Sequence, residues 1–71
     1  MAGAAGARLS ALNRLIAEGE KRCAEQVEQI ERLNENGQNT IRAMGALWRI
    51  KATLAALRAR RAYLQARRLK P

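Results

Sequence analysis

Asn34-Glu35-Asn36-Gly37-Gln38-Asn39-Thr40 divides the chain into two unlike halves. Gly37 has no Cβ, so it can take the left-handed conformation that ends a helix at low steric cost. Asn34, Asn36 and Asn39 compete for backbone hydrogen bonds and favour caps over helix interiors. Asn39 or Thr40 is placed to accept from the free N–H groups of a following helix. Two long helices joined by so short a link fold back on one another as an antiparallel pair. The sequence therefore reads as all-α: a two-helix, coiled-coil-like antiparallel hairpin. Its parts are a flexible N-terminus at 1–7, a helix over about 8–35, a turn at 36–40 and a basic helix over about 41–68.

The apolar pattern on either side of the turn supports this. Leu9, Leu12, Ile16, Gly19, Cys23, Gln26, Ile30 and Leu33 alternate steps of three and four without interruption, the a/d seam of a coiled coil. Gly19 lowers helix propensity by roughly 1 kcal/mol against Ala, which points to close approach of another helix at that place. Gln26 is a polar seam residue of the kind that sets register. After the turn, Met44, Leu47, Ile50, Leu54, Leu57 and Leu64 form one stripe. A second stripe, Trp48, Ala52, Ala55, Ala59, Ala62 and Ala66, runs beside it. One partner helix cannot cover two apolar stripes, so the hairpin is expected to pair with a second copy into a four-helix bundle. Trp48, Ala52, Ala55, Ala59 and Ala62 are the expected homodimer interface; Trp48 can equally serve as an anchor for another protein.

Folding back around Gln38 sets a register, which charge then supports. With position i facing roughly position 77 minus i, Leu33 meets Met44, Ile30 meets Leu47 and Cys23 meets Leu54. The same alignment brings Glu35 near Arg42, Glu28 near Arg49 and Glu25 near Lys51. The open end lacks such compensation, because Arg58, Arg60, Arg61, Arg67, Arg68 and Lys70 come together with Arg8 and Arg14.

Composition narrows the function. The chain has 71 residues and a net charge of +8, no His, no Phe and a single Cys. Residues 1–40 hold five basic groups and six Glu, a net of −1, whereas residues 41–71 hold nine basic groups and no acid, a net of +9. The whole excess lies after the turn, which points to an anionic partner. A lone Cys23 excludes an intramolecular disulfide and fits a reducing, cytoplasmic setting. With no His and only one Cys, no usual zinc site can be assembled. The small residues at 1–7 lack the apolar core of a secretory signal, and no apolar run is long enough to span a bilayer.

Catalysis needs polar groups converging in a cleft. Here Glu18 and Glu20, two apart, point to different helix faces, and Cys23 lies on the core seam where it acts as a small hydrophobe. The chain is therefore read as no enzyme, with no cofactor. Two binding functions remain. Arg is suited to bidentate contact with phosphate or carboxylate, and Arg58, Arg60, Arg61, Arg67 and Arg68 form the expected contact. A nucleic acid would be held through its phosphates, non-specifically and in a salt-dependent way, but Tyr63 alone is on hand to stack on bases. An acidic protein surface fits the coiled-coil character better, with the protein acting as an inhibitor or adaptor of a nucleic-acid-handling complex. A membrane-surface role is the weakest reading, since no clean lipid-binding face emerges in residues 58–70.

The run Ala17-Glu18-Gly19-Glu20-Lys21-Arg22, followed by Gln26, Ile30, Leu33 and Gly37-Gln38-Asn39-Thr40, resembles a family of small α-proteobacterial helical-hairpin proteins. The shared pattern is Glu-Gly-Glu, a Gln, a spaced Ile/Leu seam and a Gly-x-x-Thr turn, over about residues 17–64. The resemblance implies the hairpin and carries no activity with it. The acid-free second helix departs from that pattern.

Overall fold

The structure, a computed structural model, describes the backbone of residues 3–69 and the side chains of residues 6–67. It consists of α1 (Gly3–Glu35) and α2 (Ile41–Leu69), packed along their length into a rod of 56 × 14 × 13 Å. The two helices fold back as the all-α hairpin expected from the sequence. α1 begins at Gly3, ahead of the start expected near Arg8. Ala4, Ala5 and Ala7 supply the strongest intrinsic helix preference in that stretch, which offsets Gly3 and Gly6. Met1 and Ala2, the first residues of the segment expected to be flexible, lie outside the described residues.

α1 ends in a Schellman motif. Gly37 has φ 68°, the N–H of Gln38 donates to the carbonyl of Leu33 at 2.8 Å, and that of Gly37 donates to Asn34 at 3.1 Å. Asn39 then caps α2: its Oδ1 accepts from the N–H of Ile41 at 2.8 Å. The Thr40 carbonyl opens the helix by accepting from Met44 N–H at 2.8 Å, and its hydroxyl points at Met44 Sδ. Gly37→Ala places a side chain in the left-handed region with open space around it, so the penalty is backbone strain alone, about 1–2 kcal/mol. A urea or thermal melt should record that loss, and Gly37→Asn should recover part of it.

Burial follows the α1 seam throughout. Leu9, Leu12 and Ile16 are buried, and Gly19, Cys23, Gln26, Ile30 and Leu33 are half-buried. On α2 the matching seam is Thr40, Ala43, Leu47, Ile50, Leu54, Leu57, Arg61 and Leu64, of which Leu54 is 3% exposed and the rest half-buried. Two members differ from expectation. Ala43 takes the place assigned to Met44, which is 49% exposed, and Arg61 occupies a seam position. An Arg is tolerated there because its methylene stem covers apolar surface while its head reaches a polar partner, here Asn13 Oδ1 at 3.1 Å.

The register also differs. Leu54 lies over Gly19, where an added Cβ would stand 2.7 Å from Leu54 Cδ2. Position i therefore faces roughly position 73 minus i, about one helical turn from the alignment expected from folding back around Gln38. In this register Leu9 is level with Leu64, Ile16 with Leu57, Cys23 with Ile50 and Ile30 with Ala43. Gln26 locks it further, donating from Nε2 to the Ala43 carbonyl at 2.9 Å. Among the described residues the interhelix ion pair is Glu20–Arg58 at 3.0 Å, and Glu35–Arg42, Glu28–Arg49 and Glu25–Lys51 do not form. An exposed ion pair is worth about 0–1 kcal/mol, whereas burying a Leu is worth about 1.5–3 kcal/mol. Packing Leu54 into the hollow above Gly19 decides the alignment.

Candidate functional site

A paired helix has two flanks, one on either side of its seam, so the hairpin has two broad faces. The heptad positions of the two helices give these faces opposite character. One is basic. Arg42, Arg49, Arg60 and Arg67 of α2 fall on it with Arg8, Arg22 and Arg32 of α1, interrupted by Glu18 and Glu25. On this side an open groove of about 510 Å³ runs between the helices, lined by Arg22, Glu25, Gln26, Glu28, Gln29, Arg32 and Ile50. In the register of the fold, Arg32 is level with Ile41 and stands across from Arg42. Arg22 is level with Lys51 and stands across from Arg49, and Arg8 is level with Gln65, across from Arg67. The arginines thus come in cross-helix rungs spread over about 37 Å at 1.5 Å per residue.

The other face is apolar. Val27 of α1 and Ile41, Met44 and Trp48 of α2 are exposed on it, with Trp48 73% exposed. Ala17, Ala24, Ala55 and Ala62 continue it toward the open end. Two grooves mark it: one of about 180 Å³ lined by Met44, Leu47, Trp48 and Lys51, and one of about 420 Å³ lined by Glu20, Cys23, Ala24, Lys51, Leu54 and Arg58. Its charge nearly balances, with Lys51, Arg58 and Arg61 against Glu20 and Glu31.

The five arginines expected to act together are divided by this arrangement. Arg60 and Arg67 lie on the basic face, where the Arg67 guanidinium stacks 5.7 Å from the centre of the Tyr63 ring. Arg58 emerges on the apolar face and is paired with Glu20, so the open end is not free of counter-charge as expected. Arg61 is held in the seam by Asn13. The side chain of Arg68 lies outside the described residues, as does Lys70. Of the expected dimer residues, Trp48, Ala55 and Ala62 belong to the apolar face, while Ala52 and Ala59 fall on the back of α2, away from α1. All five are exposed in the hairpin.

Arg22, Arg42 and Arg49 are functional candidates that charge density alone did not single out. Their signal is positional: each sits at a flank position of its heptad rather than in the arginine-dense segment 58–68. Among the described residues no three His, Cys, Asp or Glu side chains approach closely enough to hold a metal. Among the described residues no helix is long and apolar enough to cross a membrane. No known family, no curated protein and no solved structure matches the chain.

Proposed function

We propose that this protein is a small non-enzymatic binding module that works as a homodimer and docks an acidic protein surface on its basic face. An inhibitor or adaptor acting on a nucleic-acid-handling complex fits that description. The observation that carries the reading is the interleaving of Arg22 and Arg32 with Glu25, Glu28, Gln26 and Gln29 along one groove. Carboxylates set among arginines repel a continuous phosphate backbone but match a polypeptide, whose side chains offer charges of both signs and amide partners. Exposed Trp48 and Ile41 on the opposite face support pairing between copies, since large apolar side chains clustered on a surface mark interaction sites.

The test is a salt titration with labelled duplex DNA, single-stranded DNA and RNA beside a glutamate-rich helical peptide. Nucleic-acid binding is expected to vanish below physiological salt while peptide binding persists there. Nucleic-acid binding that survives physiological salt with a steep log–log slope overturns the reading in favour of direct phosphate recognition.

A further inference from the structure

We infer that the apolar face is the seat of a second copy stacked in the same direction, which makes the dimer a bivalent bridge with its two basic faces turned outward. This rests on the binding reading above and adds its geometry. The hairpin alone is under-covered: its buried apolar side chains among the described residues are Leu9, Leu12, Ile16 and Leu54, while Val27, Met44, Trp48 and Ile41 stay exposed on this face, against Leu15 and Tyr63 on the basic one. Two grooves flank Lys51 on that same face and are open to be filled.

Charge and size choose the stacking. If α2 lay antiparallel on α2 of the second copy, Lys51 and Arg58 of one helix would be brought against the same bases of the other. Neither α2 carries an acid, and only Arg58 has a carboxylate beside it, Glu20 of its own α1. A two-fold axis parallel to the rod instead lays each α2 on the partner's α1, antiparallel to it. In the register fixed by Gly19 and Leu54, Ala24 is level with position 49, Val27 with 46, Glu20 with 53 and Ala17 with 56. Trp48 then seats between Ala24 and Val27 of the second copy. Ala55 lies beside Ala17 of the second copy, and Lys51 and Arg58 straddle its Glu20. Large side chains on α2 meet small ones on α1, and base meets acid. The contact is isologous, so it closes as a dimer.

Because the apolar and basic faces lie on opposite sides of the hairpin, this stacking directs the basic faces of the two copies in opposite directions. With helix layers 8–10 Å apart, two peptides docked on them lie about 24–30 Å apart, with the bundle between them. The dimer joins two acidic partners instead of presenting both sites to one.

Sedimentation of the full chain and of Val27→Glu/Trp48→Glu, with helicity checked by circular dichroism, tests the pairing without any ligand. Wild type is expected at twice the monomer mass, and the variant at the monomer mass with helicity kept. Energy transfer between donor- and acceptor-labelled copies of the glutamate-rich peptide tests the bridge. Wild type should give transfer, and the variant should bind peptide but give none. A wild-type monomer at all concentrations overturns the bridge and leaves peptide binding standing. A dimer that binds peptide without transfer overturns the outward arrangement. A dimer that binds no peptide at physiological salt overturns the binding reading and the bridge with it, while the pairing stands.

Discussion

Leu54→Ala is expected to abolish the folded hairpin at room temperature, or to leave it only partly populated. Among the described residues Leu54 is the one buried side chain of α2, and it fills the hollow over Gly19. Removing a buried Leu side chain costs about 2–5 kcal/mol. A core of this size rarely supplies more than about 3–5 kcal/mol in total, so one truncation removes most of the margin. The measurement is far-ultraviolet circular dichroism with a thermal melt, set beside Ile41→Ala, whose side chain is 74% exposed in the hairpin. Ile41→Ala should melt close to wild type at concentrations where the hairpin is monomeric. An unshifted melt for Leu54→Ala would show that the helices pack in another register.

Gly19 supplies the complementary experiment. Gly19→Ala raises helix propensity by about 1 kcal/mol, yet the new Cβ would stand 2.7 Å from Leu54 Cδ2 and 3.1 Å from Cγ. Leu54 must rotate, and at 3% exposure it is hemmed in. Overpacking of this sort costs about 1–3 kcal/mol, so the single variant should be destabilised. In the double variant Gly19→Ala/Leu54→Ala the added methyl meets an emptied hollow. It should be more stable than Leu54→Ala alone, and that sign change is the signature of direct contact.

The same residue pair shows how far the fold was legible. The α1 seam from Leu9 to Leu33, the break at Gly37 and the antiparallel return all follow from local rules that tertiary contacts reinforce. Register is not local. Aligning Glu35, Glu28 and Glu25 with the bases of α2 gave a coherent pattern, but exposed pairs are too weak to oppose the packing of one Leu against one Gly. Within α2 the unbroken three-four count from Thr40 passes through Ala43 and Arg61 rather than Met44. A small residue and a charged one at seam positions disguise the stripe that hydrophobicity alone would draw. Leu47, Ile50, Leu54, Leu57 and Leu64 are the seam as expected, and the slip is confined to the start, where a shift of one position exchanges the half-buried Ala43 for the exposed Met44. Once the count is right, Trp48 and Ala55 fall on one face and Arg42, Arg49, Arg60 and Arg67 on the other. The contrast in chemistry between the faces was therefore present in the sequence but concealed by the dense arginine run near its end.

Reversing Arg60 and Arg67 to Glu should weaken binding of the glutamate-rich peptide by about 100-fold or more, which is about 2.7 kcal/mol. Each reversal removes a charge-assisted contact and puts a carboxylate against an acidic partner, and like charges brought together across an interface cost several kcal/mol. Arg67 also loses its place over Tyr63, an exposed contact worth only about 0.5–1 kcal/mol, so the hairpin should keep its helicity. Net charge falls by four in this variant, and a control must separate that from position. Arg14→Glu/Lys21→Glu makes the same change in net charge on the back of α1, away from both faces. If the basic face is the docking surface, the control should lose no more than the few-fold expected of long-range attraction, screened beyond about 8 Å at physiological salt. Equal losses in the two variants would mean that overall charge, not the face, governs binding, and the proposed site would fall.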